Sequence, residues 1–221
     1  LEAQREIARS LLNRRKPVEA EAVLNDLLKL DQGDTAALML RAEMWQQRGN
    51  LEKAVEDLSL VLAARPQDAG VRFVRGDHYG RLRRYDSAKE DLIKVKVLAQ
   101  ERPDDKSAQD YAMEARSRLV SLYEIQDQND LAEVELREML EWYGEKPGTE
   151  LFRQRTADRL IALLLRNNRA AKAEEVCAAY MAKFPRSADW PIKLGELLLK
   201  REQYAAAAER FQDAMKVAEK E

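Results

Sequence analysis

Two side chains in this 221-residue chain carry chemistry found nowhere else in it: His78 is the sole histidine and Cys177 the sole cysteine. A histidine can serve as a general base, but the task needs a nucleophile in matching motif context. None accompanies His78, which stands beside Tyr79 in a helical pattern and reads as a packing or solvated side chain. A single histidine excludes HExxH sites and any two-histidine metal device. Cys177 falls at an apolar helical position, where free cysteine behaves as a small buried hydrophobe rather than a reactive thiol. One cysteine also excludes an internal disulfide framework and a multi-cysteine zinc site. Carboxylates are plentiful, yet nothing singles out a pair, and no P-loop, GxGxxG or nucleophile elbow is written. The expectation is no catalytic residue, no metal, no cofactor and no enzyme.

Nucleic acid is the next chemistry to weigh, because Arg81, Arg83 and Arg84 cluster with Tyr85 and helical repeats can read RNA bases. Arg83 and Arg84 fall in a turn, acidic residues intersperse the basic ones, and 38 basic against 40 acidic residues leave a net charge of -2. A solvated turn is expected, and no nucleic-acid partner. Charge is uneven all the same: residues 65–100 hold nine basic and five acidic side chains, 101–151 six and fourteen, 152–221 fourteen and ten. Such asymmetry can steer a partner, or pair one copy with another. No stretch reaches the roughly 18 apolar residues of a membrane span, so a soluble chain without membrane insertion is expected, in cytoplasm or periplasm. Leu1-Glu2-Ala3 opens without methionine or signal peptide, which suggests a processed or excised fragment.

The elements that must position these residues are short amphipathic helices. One pattern is written twice at a spacing of 34 residues: Leu38, Ala42, Trp45, Gly49, Leu51, Ala54, Leu58 and Pro66 stand where Arg72, Gly76, Tyr79, Arg83, Tyr85, Ala88, Leu92 and Gln100 follow. Ala42, Gly76, Ala54 and Ala88 remove bulk where helices cross, Gly49 suits a left-handed residue closing a first helix, and Pro66 stops a second. Counting by the alanines gives Ala20, Ala54, Ala88, then steps of 44 to Ala132, 41 to Ala173 and 34 to Ala207. The longer steps predict a lengthened first helix in repeat four, and seven residues added before the first helix of repeat five. Asp130 with Glu133 reads as a capping box opening the second helix of repeat four.

Period, small residues at positions eight and twenty, large ones at eleven and seventeen, and proline at thirty-two make the chain resemble the tetratricopeptide repeat (TPR) family. The resemblance implies an all-α fold, a right-handed TPR superhelix (α-solenoid) of about six helix-turn-helix repeats. A single TPR domain over 1–221 is expected, with repeats near 1–34, 35–68, 69–102, 103–146, 147–187 and 188–221. The last repeat lacks a solvating cap, so the natural chain is expected to continue or to have that end covered.

In that family a concave groove lined by first helices binds a protein or peptide, and the resemblance carries this role here. Matching positions include Arg5, Arg9, Met39, Leu40, Glu43, Gln47, Phe73, Val74, Asp77 and Arg81, then Arg118, Ser121, Arg155, Asp158, Arg159, Arg166, Lys193 and Glu196. Met39, Leu40, Phe73 and Val74 form a candidate apolar strip, bordered by Glu43, Asp77 and Arg81. The alternative is that these four pack against a neighbouring first helix and complete the core. Positions matching the family's terminal-carboxylate clamp hold Arg5, Arg9, Leu40, Gly70 and Val74, so clamping is not expected. The reading is a non-catalytic protein-interaction scaffold. Self-association through the groove or the uncapped C-terminal end, and a regulatory module of a larger protein, are the alternatives.

Overall fold

A computed structural model describes residues 1–144 and 146–219. Position 145, near the end of the expected fourth repeat, and the last two positions of the expected sixth repeat lie outside the described residues. Among the described residues the chain is twelve α-helices without a strand. They come in pairs: α1 (Glu2–Asn13) with α2 (Pro17–Leu30), α3 (Thr35–Gln47) with α4 (Leu51–Ala64), and α5 (Ala69–Arg81) with α6 (Tyr85–Glu101). Then follow α7 (Lys106–Ile125) with α8 (Asn129–Tyr143), α9 (Glu150–Arg166) with α10 (Ala170–Lys183), and α11 (Asp189–Lys200) with α12 (Tyr204–Ala218). Two compact units divide the chain, Leu1–Leu122 and Tyr123–Glu221. None of the helices is long and apolar enough to cross a membrane, among the described residues.

Aspartates start α3, α5 and α7 of the first unit. Asp34 accepts the Ala36 and Ala37 N–H groups at 3.1 Å, Asp68 that of Val71 at 3.0 Å, and Asp105 that of Ala108 at 3.0 Å. Each satisfies donors that have no partner inside the helix. Burial would push the Asp34 carboxyl up, but the Ala37 N–H and the Arg5 guanidinium outweigh it and hold that group below the ordinary carboxylate range.

Every paired helix turns through one left-handed residue: Arg15, Gly49, Arg83, Asp127, Asn168 and Glu202 have φ between 54° and 75°. Each stands five residues before the small residue of its second helix, Ala20, Ala54, Ala88, Ala132, Ala173 and Ala207, all at most 1% exposed. Only Gly49 carries the residue type that adopts this backbone without steric cost. At the other five the backbone takes this conformation without glycine, five residues before a fully buried alanine. The partner small residue is as tightly held: a Cβ on Gly76 would approach Leu92 Cγ to 3.1 Å, and one on Gly195 would meet Phe211 Cε1 at 2.7 Å.

The longer repeat steps are absorbed chiefly by helix extension. α6 has 17 residues against 14 in α4, and α7 has 20 against 13 in α5, which accounts for the ten added between Ala88 and Ala132. The seven added before Ala173 were expected ahead of repeat five's first helix. Most of them instead extend α9, to 17 residues, since added turns can keep burying an apolar face where added loop cannot. Glu133 also departs from expectation. α8 starts at Asn129 without a side-chain cap, and the Glu133 carboxylate, 5% exposed, accepts from Arg137 at 2.9 Å and Lys172 at 2.8 Å. It ties α8 to α10 instead of capping α8.

In the second unit Tyr180 stacks on Phe184 and on Trp190 at 5.7 and 4.6 Å between ring centroids. Cys177 lies one turn earlier on α10, fully buried, and burial pushes its thiol pKa up to about 12. Because the thiolate is the nucleophile, we expect Cys177 to label slowly with an aromatic disulfide reagent in the native protein and at once in denaturant. Fast native labelling would show α10 to be open or out of register.

Candidate partner-binding surface

The first helices α3, α5 and α7 of the first unit share a face with a cleft of about 480 Å³ between them. Met39, Glu43, Val74, His78, Ser107 and Tyr111 are among its lining residues. Adjacent positions on a helix differ by about 100°, so one of a neighbouring pair turns outward and the other inward. In α3 it is Met39 that faces out, 41% exposed, while Leu40 is 6% exposed and belongs to the core built by α1–α5. In α5 the order reverses. Phe73 is buried under the Tyr111 ring, with centroids 5.8 Å apart, and Val74 is half-buried against the same core.

The expected strip is thus corrected: Leu40 and Phe73 complete the core, and Met39 and Val74 are its accessible half. The reason is the side chain supplied by the next first helix, which repeat position alone does not specify. Glu43 is exposed and accepts a hydrogen bond from Gln47 Nε2 at 3.3 Å. Asp77 pairs with Arg118 Nε at 2.7 Å, tying α5 to α7, and Arg81 is exposed.

Within the second unit Arg155 is exposed. Arg159 and Arg166 converge on Glu124, at 2.6 and 2.8 Å, and Asp158 pairs with Lys193, itself only 7% exposed. Within this unit those expected groove residues pair with Glu124 and join α9 to α11. Arg83 and Arg84 lie exposed in the turn opening α6, as a solvated turn requires.

Ionic clamps joining first and second helices were missed in the sequence. Arg41 donates to both oxygens of Asp57, at 2.9 and 2.7 Å, and to Asn25 at 3.1 Å. One period later Arg75 does the same to Asp91, at 2.7 and 2.8 Å, and to Ser59 at 3.0 Å, with Arg72 adding a contact to Asp91 at 3.1 Å. The two aspartates are 3% and 2% exposed. A bidentate guanidinium–carboxylate pair fixes angle as well as distance, so these clamps set how each helix pair presents its first helix. The signal was available: Arg41/Arg75, Asp57/Asp91 and Asn25/Ser59 each repeat at 34.

No group of three histidine, cysteine, aspartate or glutamate side chains is placed to hold a metal, among the described residues. The face offers apolar contact and hydrogen bonds.

A family model for the tetratricopeptide repeat matches residues 5–69, and among curated proteins none matches the chain. Its fold is similar to a tetratricopeptide repeat protein from Parabacteroides merdae, with 18% identity, a TM-score of 0.55 and coverage of 97% of this chain and 77% of that one. It is also similar to Pseudomonas aeruginosa pilF, with 16% identity, a TM-score of 0.58 and coverage of 95% and 87%. A third similar structure is YrrB, a TPR protein with an unusual peptide-binding site, at 16% identity, a TM-score of 0.51 and coverage of 88% and 91%. Paired helices, left-handed turns at one register, small residues at the crossings and these likenesses agree that residues 5–69 match the tetratricopeptide repeat and that the chain has the all-α fold of helix pairs seen in tetratricopeptide repeat proteins.

Proposed function

We propose that the protein is a non-catalytic scaffold that holds a protein or peptide segment on the α3–α5–α7 face of its first unit. The carrying observation is the cleft of about 480 Å³, where the exposed Met39 and half-buried Val74 form an apolar centre beside Glu43. Asp77, Arg81 and Arg118 belong to the same face as its charged border, and Arg155 is the exposed candidate of the second unit. An apolar centre with a polar surround is the usual anatomy of a recognition surface. The described peptide-binding site of YrrB, on a similar fold, supports the reading.

Affinity capture from the source cell tests it, with wild type and Met39→Glu immobilised side by side. Met39 is exposed, so the variant should melt within about 0.5 kcal/mol of wild type. We expect a specific protein retained by the wild type to be lost by Met39→Glu. Equal retention by two equally stable proteins would remove this face from the function. Self-association is the rival reading, and it requires a mass in solution that rises with concentration without any added partner.

A further inference from the structure

His78 lines the cleft, is 2% exposed, and has no hydrogen-bond partner for either ring nitrogen among the described residues. Burial pushes its pKa below the ordinary histidine range, with Asp77 opposing and Arg81 reinforcing the shift. Near neutral pH the ring is uncharged, with one N–H donor and one acceptor nitrogen. Buried polar groups left unpaired are costly, and such orphans call for an explanation.

Charge is the second observation. Glu43 and Asp68 line the cleft, while no lysine or arginine does so among the described residues. Asp68 is engaged in capping Val71, with Arg65 no nearer than 4.0 Å, and among the described residues Glu43 has the Gln47 contact alone. Size is the third. About 480 Å³ between Met39, Val74 and the Tyr111 ring admits one large side chain with a short piece of backbone.

We propose that the cleft is a specificity pocket for a tyrosine side chain of the partner segment, flanked by lysine or arginine that faces Glu43 and Asp68. This rests on the docking reading above. A tyrosine ring fills the apolar walls, and its hydroxyl both donates and accepts, so it can meet either ring nitrogen of His78. Phenylalanine would leave His78 unpaired, tryptophan can only donate, and serine or threonine cannot fill the space. Both nitrogens are shielded from solvent, on a ring that lines the cleft. Reaching them takes a rotamer change at the cleft wall of the kind common at interfaces, and the unbranched Met39 is a lining residue able to make one.

The test titrates the protein, carrying 13C-methyl methionine, with three capped tripeptides: acetyl-Lys-Tyr-Lys-amide, acetyl-Lys-Phe-Lys-amide and acetyl-Glu-Tyr-Glu-amide. Lys-Tyr-Lys should shift the Met39 methyl and His78 ring signals saturably, with Lys-Phe-Lys about tenfold weaker, as one hydrogen bond to a buried ring implies. Glu-Tyr-Glu should be weaker still. His78→Leu should bring the tyrosine and phenylalanine peptides to equal affinity. Because His78 is buried, the exposed Glu43→Lys variant provides an independent check: it should weaken Lys-Tyr-Lys without changing the tyrosine-to-phenylalanine ratio.

Equal affinity of the two lysine peptides for wild type would overturn the role of the hydroxyl and of His78. No response of the Met39 methyl to any tripeptide would overturn the pocket. In either case a partner captured by wild type and lost by Met39→Glu would leave the docking face standing, so the two failures are distinct.

Discussion

Asp91→Ala should lower the stability of the first unit by about 3 kcal/mol, the lower part of the range for breaking a buried ion pair. The carboxylate is 2% exposed and accepts from Arg75 twice and from Arg72 once. Its removal leaves two guanidiniums, each 18% exposed along the side chain, without a carboxylate and holding only the Ser59 hydroxyl and the Pro66 carbonyl. They retain some solvation, which is why the upper end of the range is not reached. For a unit of this size the loss corresponds to a fall in Tm on the order of 10 °C. Asp91→Asn keeps the shape and some of the hydrogen bonds and should cost about half as much. Asp86, paired with Lys89 on the surface and 92% exposed, provides the contrast, since Asp86→Ala should change stability by less than about 1 kcal/mol. Urea unfolding followed by circular dichroism measures all three. A cost for Asp91→Ala no larger than that of Asp86→Ala would mean that the clamp does not hold α5 to α6.

Phe73→Ser should cost about 3 kcal/mol or more and leave partner capture intact in the cold. The ring is 9% exposed beneath Tyr111, and truncating a buried aromatic loses its transfer energy and leaves a cavity, here with a hydroxyl placed beside it. Phe73 does not line the cleft, whereas Met39 and Val74 do. The informative measurement is therefore paired: thermal unfolding of Phe73→Ser, and capture at a temperature where it remains folded. A variant that melts like wild type yet no longer captures the partner would place the Phe73 ring in the interface and reverse the assignment made here. Met39→Glu should show the opposite pattern, with lost capture and nearly unchanged melting.

The contrast between these positions marks how far the sequence reaches. Helix pairs and the small residues at Ala20, Ala54, Ala88, Ala132, Ala173 and Ala207 were legible, because close approach of two backbones tolerates only small side chains and the requirement recurs every repeat. Cys177 was legible as a packing residue from its neighbours along the helix, and His78 as a buried one, though not its place on the cleft lining. Glu133 was misread, since a glutamate three residues beyond an aspartate fits a capping box and a buried ion pair equally well until Lys172 and Arg137 are seen beside it.

The sequence alone determined a stack of helix pairs with a fixed register, for steric reasons local to each repeat. Only the tertiary structure decided which residues of that register remain accessible. Met39 faces outward and Leu40 inward, while one repeat later Phe73 is covered by Tyr111 and Val74 is left half-open. Exposure at a first helix is set by the side chain that the next first helix places over it. A sequence fixes that helix's period, but the rotation of one helix against its neighbour is fixed by contacts distant in the chain, such as the Arg41–Asp57 and Arg75–Asp91 clamps.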